Sequence, residues 1–322
     1  MDPTFQLLHG DCRATLATLP DASVQCCVTS PPYWGLRDYG TPDQIGLEST
    51  PDAYVAELVA VFREVRRVLK YDGVCWLNLG DSYAGYWGDQ KARDENRASS
   101  ADTNGWTNGF NMNARPQFDH LRKAGLKPKD LVGIPWRVAF ALQADGWWLR
   151  SDVIWAKPNP MPESVTDRPT KAHEYVFLLA KAERYYYDAE AIAEASVGTN
   201  AHDLTGQGYK APGQSAHTGS RGRMDLVKDT RNARTVWTIA TQPYRDAHFA
   251  VMPEALATRC ILAGSRVGDT ILDPFAGAGT TGVAALGNGR SFIGCEANAA
   301  YVDMARRRLQ GVAPLFAVEQ AG

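Results

Sequence analysis

The run Thr29-Ser30-Pro31-Pro32-Tyr33-Trp34-Gly35 brings a hydroxyl, a proline carbonyl and an aromatic ring close together in the chain. It follows an apolar stretch, 24–28, that reads as a buried strand. Two consecutive prolines cannot continue a sheet ladder, so the backbone leaves the strand on a stiff path. Ser30, the Pro31 carbonyl and Tyr33 are then presented at the strand's carboxyl end, with Pro32 shaping the turn. Open α/β sheets bind ligands at such ends. Two fixed acceptors beside an aromatic face suit one task, holding a planar ring that carries an amino group. A proline turn with a packed tyrosine is the plain alternative, and the heptad by itself does not choose.

A second constellation lies towards the other end. Asp273-Pro274-Phe275-Ala276-Gly277-Ala278-Gly279-Thr280-Thr281-Gly282 stands between a strand pattern and a helix pattern, and Gly277, Gly279 and Gly282 satisfy GxGxxG. Glu296 comes 19 residues after Gly277, at the end of the next strand pattern. Glycines for close approach and an acid for ribose hydroxyls are what a bound nucleotide requires. NAD is the first ligand this suggests, and it would make the chain a nicotinamide-dependent oxidoreductase. That reading leaves 30–33 unexplained, and the loop itself argues against it. Dinucleotide loops set the first glycine at the strand end, so that a helix N-terminus meets pyrophosphate. Here Asp273-Pro274-Phe275 intervene and bring a carboxylate, which repels pyrophosphate and attracts a cation. S-adenosylmethionine carries a sulfonium and an ammonium and no phosphate, so the acid-rich site fits it better. Asp11, behind another strand pattern and Gly10, would make a third acid beside Asp273 and Glu296 and accept from an adenine amino group. Turn or helix capping is the competing role for Asp11 and Glu296.

The elements that must position these groups alternate. Strand patterns fall at 4–8, 24–28, 74–79, 147–155, 174–179, 184–188, 270–272 and 291–295. The pair 174–179 and 184–188 is expected to be joined by a tight turn. Helix patterns fall at 51–69, with Pro51 at its first position and a stop at Asp72-Gly73, at 128–144, at 253–262, from the glycine loop to 286, and at 298–309 with Asn298 as cap. Such alternation predicts a mainly parallel sheet with helices on both faces. Two polar stretches, 84–127 and 195–236, and the proline-rich loop 157–171 interrupt it. In 195–236 six basic residues (Lys210, Arg221, Arg223, Lys228, Arg231, Arg234) face three acids (Asp203, Asp225, Asp229), a local net of +3.

At 322 residues, 44% apolar and 22% charged, the chain is expected to be soluble and globular. A net charge of −2 weighs mildly against nucleic acid as a partner, yet a local patch suffices for one. The six cysteines form no CxxC pair, and four sit in apolar strand patterns, so buried reduced thiols are expected and no metal. No basic leader and no run of 18 apolar residues is present, which points to a cytoplasmic location, nucleoid-associated if DNA is the partner, without membrane attachment.

Together these residues resemble the β-class DNA amino-methyltransferases, the SPPY type of the N4-cytosine/N6-adenine family. The likeness lies in TSPPYWGLRDYG (29–40), VCWLNLGDSY (74–83), SDVIWAKPNPMPESVTDRPTKAHEYVFLLAK (151–181), AHFAVMPEALA (247–257), DPFAGAGTTGVAA (from 273) and GCEANAAYVDMARRRL (to 309), and it covers most of the chain outside the two polar stretches. The resemblance implies a Rossmann-like S-adenosylmethionine-dependent methyltransferase fold, with a seven-stranded, mostly parallel sheet and one reversed strand. The catalytic strand comes first and the cofactor loop last, a circular permutation of the common order. It implies a catalytic half (1–194, with 84–127 inserted), a target-recognition region (195–236) and a cofactor-binding half (237–322). Carried over by position, Ser30, Pro31, Pro32 and Tyr33 are the catalytic tetrapeptide. Asp273, Phe275, Gly277, Gly279, Thr280 and Thr281 form the cofactor loop, with the threonines reaching the methionine carboxylate. Glu296 takes the ribose, Asp11 the adenine, and Phe249 packs on the cofactor. Arg221, Arg223, Lys228, Arg231 and Arg234 are then expected on duplex DNA. His173-Glu174 is expected on a structural strand facing the base pocket. Family members modifying N6 of adenine mostly carry Asp or Asn where Ser30 stands, and those modifying N4 of cytosine mostly Ser. Cytosine N4 is therefore the expected target, with adenine N6 the alternative. A homodimer and a cognate restriction endonuclease are the further partners the resemblance brings into view.

Overall fold

The protein is described by a computed structural model that covers residues 3–35, 44–84, 124–196, 230–242, 252–312 and 318–319. Its strands are β1 (Thr4–His9), β2 (Val24–Thr29), β3 (Leu69–Leu79), β4 (Trp148–Ala156), β5 (His173–Ala180), β6 (Glu194–Ala195), β7 (Thr230–Arg231), β8 (Val236–Thr238), β9 (Thr270–Asp273), β10 (Ser291–Glu296) and β11 (Val318–Glu319). Its helices are α1 (Cys12–Ala17), α2 (Pro51–Val68), α3 (Ile134–Ala144), α4 (Glu254–Gly264), α5 (Thr280–Gly287) and α6 (Ala299–Val312).

One nine-stranded sheet runs in the order β11-β1-β10-β9-β2-β3-β5-β4-β8. Seven strands carry it, and the short β11 and β8 extend its edges. Every neighbouring pair is parallel except β3–β5 and β4–β5, so β5 alone is reversed. The expected α/β fold with one antiparallel strand is what forms. The strand β1 of the first half lies between β10 and β11 of the last, so the two halves share one sheet.

Two apolar clusters lie on opposite faces. Helices α1, α2 and α3 cover one, with Leu16, Leu58, Phe62, Val138 and Leu142 against Cys27, Cys75 and Phe177. Helices α4, α5 and α6 cover the other, with Leu256, Ile261, Ala285 and Leu309 against Cys26, Val28 and Trp76. Sandwiched between them, all six residues of β2 are buried, which is why 24–28 reads as an apolar stretch with Gln25 its one polar member. All six cysteines are buried and free, and burial pushes the Cys295 thiol up to about 12.

Local chemistry accounts for the long elements. Thr50 caps α2 by accepting from the Ala53 N–H at 3.2 Å, Pro51 opens it, and Tyr54, Leu58, Val61, Phe62, Val65 and Val68 make one buried stripe. Helix α3 has no cap of its own in sequence. The Asp81 carboxylate, brought in from beyond β3, accepts from the Gly133 and Ile134 N–H groups at 2.9 and 3.0 Å.

Two expectations are corrected, and one element was not foreseen. Helix α2 stops at Val68, and β3 begins at once, so Asp72-Gly73 lies inside a strand. The pairs Val24–Leu69 and Cys26–Val74 show that 70–73 bulge out of the β2–β3 ladder, which makes a turn-like dipeptide compatible with the strand. Residues 184–188 join no sheet. The Tyr186 N–H bonds to the Asp72 carbonyl and the Asp188 N–H to the Ala263 carbonyl, while β5 takes β3 and β4 as its two partners. Helix α1 was not expected; its six residues are too short for a periodic signal.

Candidate active site

Four adjacent strands, β1, β10, β9 and β2, end along one edge of the sheet. Asp11 lies just beyond β1, Glu296 ends β10, Asp273 ends β9, and Ser30 directly follows β2. The topology thus assembles the expected site residues from opposite ends of the chain.

The turn 30–35 is held from three sides. Tyr54 of α2 donates its phenol to the Pro32 carbonyl at 2.8 Å. Trp34 is buried and donates Nε1 to the Glu48 carbonyl at 2.8 Å, and the Gly35 N–H reaches the Gly46 carbonyl at 2.6 Å. The Tyr33 ring lies against Gly80, beyond the end of β3; a Cβ there would stand 2.5 Å from Cε2. The phenol oxygen of Tyr33 donates to Glu174 Oε2 at 2.6 Å and accepts from Asn78 Nδ2 at 3.0 Å and from Ser30 Oγ at 3.3 Å. Asn78 also donates to Glu174 Oε2 at 2.7 Å, and Lys157, with its ammonium over the Trp155 ring, donates to Glu174 Oε1. Burial, then the Glu174 charge, pushes the Tyr33 phenol well above its ordinary pKa, so it stays protonated and donates.

The glycine loop is tied to this turn through one carboxylate. Asp273 is 4% exposed, and it accepts from Thr29 Oγ1 at 2.6 Å, Thr281 Oγ1 at 2.7 Å and the Phe275 N–H at 3.0 Å. Burial pushes its pKa up to about 6 against those hydrogen bonds. Through these hydrogen bonds Asp273 joins β2 to the loop inside the protein. Thr281, expected on a carboxylate of the ligand, also donates to Asp273. Thr280 is buried and accepts from Arg308 at 3.1 Å.

Glu296 accepts from the Gly277 N–H at 2.8 Å and the Asn298 N–H at 2.8 Å, and burial raises its pKa. Neither Glu296 nor Asp273 has an ion-pair partner among the described residues. Gly279 has φ +77°, and a Cβ there would sit 3.0 Å from Ala305 Cβ; one on Gly282 would sit 2.6 Å from Leu309 and Phe292 atoms. The loop therefore enters α5 at a distance from β10 and α6 that only glycines permit. Phe275 is half-buried beside the loop.

Asp11, too, has partners inside the protein. It caps α1 through the Arg13 N–H at 2.7 Å and pairs with the Arg13 guanidinium at 2.5 Å, which holds its carboxyl below the usual range. Arg231 and Arg234 are drawn to Glu194, at 3.7 and 3.1 Å, with Arg259 on its other oxygen at 3.1 Å. Phe249, Arg221, Arg223 and Lys228 lie outside the described residues, as does most of each polar stretch.

Sequence reasoning assigned no role to Asn78 and Lys157, and left Glu174 as part of a structural strand. The available signal was polarity out of place: Asn78 inside the apolar run 74–79, and Glu174 at the head of the apolar run of β5.

A family model for DNA methylases matches residues 24–307. The Type II methyltransferases M.Cfr9I of Citrobacter freundii and M.SmaI of Serratia marcescens are 46% and 45% identical to the chain over 305 and 307 residues. Those alignments span 95% and 94% of this chain and 87% and 90% of the relatives. Among solved structures, PvuII DNA methyltransferase (cytosine-N4-specific) superposes with a TM-score of 0.60 at 17% identity, covering 95% of this chain and 88% of its own. TTHA0409 of Thermus thermophilus, complexed with S-adenosyl-L-methionine, superposes at 0.57 and 23% identity, covering 99% and 100%. At such identities the structural likeness is one of fold, and the sequence relatives carry the kinship. The chain therefore belongs to the N6/N4 DNA methylase family: it is a DNA methyltransferase akin to the Type II enzymes.

Proposed function

We propose that the protein methylates the exocyclic N4 of cytosine in duplex DNA after the base has turned out of the helix. The observation that carries this reading is Ser30, set beside Tyr33 and bound through Thr29 and Asp273 to the glycine loop. The fit of that loop to S-adenosylmethionine rests on Glu296, a buried acid whose contacts here are backbone N–H groups, and on the glycine cradle at Gly277 and Gly279. A ligand bringing positive charge and ribose hydroxyls complements that pair. When bound, S-adenosylmethionine supplies an electrophilic methyl group on its sulfonium.

The residues of the chain do the rest. A cytosine amine is a poor nucleophile because its lone pair is delocalised into the ring. Accepting its two N–H bonds on Ser30 Oγ and the Pro31 carbonyl draws that pair back onto nitrogen. No strong base is needed, since the methylated amine loses its proton readily. Positioning of this kind is worth roughly 7–11 kcal/mol. Turning the base out costs a few kcal/mol, and stacking on Tyr33 returns about 1–3 kcal/mol of it.

A serine at position 30 favours cytosine over adenine, and PvuII methyltransferase, which shares the fold, is cytosine-N4-specific. Target recognition is assigned to 195–236, where the basic residues concentrate, and the kinship with Type II enzymes makes a restriction endonuclease of the same target the natural companion. The test is nucleoside analysis of DNA from cells expressing the protein. N4-methylcytosine is expected; N6-methyladenine alone reverses the choice of base.

A further inference from the structure

The hydrogen bonds around Tyr33 have a direction, and it ends on Glu174. A carboxylate only accepts, so the Tyr33 hydroxyl must direct its proton to Glu174 Oε2, 2.6 Å away. The Asn78 amide, with both contacts on acceptors, presents its NH2 group to Tyr33 at 3.0 Å and to Glu174 at 2.7 Å. Tyr33 is left with an accepting oxygen, and it receives the Ser30 hydroxyl at 3.3 Å. Lys157 pairs with the other carboxylate oxygen.

We infer that Glu174, reached through Tyr33, sets Ser30 as a pure hydrogen-bond acceptor towards the target amine. With its own proton committed to Tyr33, Ser30 turns only lone pairs to the pocket. A serine free to rotate would offer its proton to a ring nitrogen or carbonyl oxygen as readily as it accepts from an amine. Glu174 is thus a positioning residue that confers selectivity for an amino group. This rests on the reading that Ser30 receives that group.

Single-turnover transfer of labelled methyl to duplex DNA tests it, in wild type, Ser30→Ala, Glu174→Gln and the double variant. A glutamine at 174 can donate to Tyr33 and so reverse the sequence, leaving the Ser30 proton aimed at the pocket. The transfer rate is expected to fall about 30- to 100-fold in Glu174→Gln, with KM for DNA and the Kd of S-adenosylmethionine within about threefold of wild type. In the Ser30→Ala background the same change is expected to add almost nothing, because Glu174 acts only through the serine. Tyr33→Phe, which removes the connecting hydroxyl, should show the same slowing and the same loss of additivity if Glu174→Gln does not fold. An unchanged rate in Glu174→Gln, or an equal further fall on top of Ser30→Ala, overturns the proposal. An unchanged rate in Ser30→Ala alone instead overturns the underlying reading of the serine.

Discussion

Asp273 shows how strongly its surroundings set the behaviour of a carboxylate. Its carboxylate is enclosed with two threonine hydroxyls and one N–H as partners, and burial holds its pKa at about 6 instead of the ordinary 3.8. The folded-state value is the higher one, so the folded protein binds the extra proton between those pH values. Stability from this group is then greatest below about 4, falls as pH rises to about 6, and is constant above, a change on the order of 3 kcal/mol. Asp273→Asn removes the titration. The difference in unfolding free energy between wild type and this variant, from urea melts at several pH values, is expected to change between about pH 4 and 6 and to be level above about 7. A difference that stays level throughout contradicts the raised value. At this scale the motif residues were legible because each motif is contiguous, but the partners of their side chains were not. That Asp273 turns inward to Thr29 depends on a residue 244 positions away.

Among the elements, the close of β3 fits tightly against the turn after β2. Gly80 leaves room for the Tyr33 ring, and a methyl group there would overlap it at 2.5 Å. Gly80→Ala is expected to push the ring off Glu174 and lower the methylation rate about 100-fold, in keeping with a displacement of about 1 Å at a positioned group. The melting temperature should fall only modestly, since the ring edge lies at the rim of the core. A variant with full activity shows that the ring can yield without loss. The periodic helices and apolar strands were legible because one-sided and two-sided burial leave different patterns in sequence. The bulge at 70–73 and the misread strand at 184–188 were not, because pairing partners decide both. Asn78 and Glu174 meet for the same reason: the antiparallel β3–β5 register sets Leu79 opposite Tyr175 and Asn78 opposite Val176.

For the whole molecule the question is how a chain of net charge −2 holds DNA. Of the five basic residues expected on DNA, Arg231 and Arg234 share Glu194 with Arg259, so part of their charge is already answered. Neutralising Arg221, Arg223 and Lys228 together is expected to weaken binding and flatten the dependence of log K on log salt by about 3, at roughly 0.9 per phosphate contact. The paired Arg231→Ala/Arg234→Ala change should flatten it less. Equal slopes in wild type and the triple variant place the DNA contacts elsewhere. Fold class and the gathering of the motif residues along the sheet's carboxyl edge were legible at this scale, because alternating elements permit few arrangements. The single carboxylate between β2 and the glycine loop also bears on redesign. A mutant library that loosens the glycine loop would also loosen the turn carrying Ser30, so changes selected at one of the two motifs should register at the other.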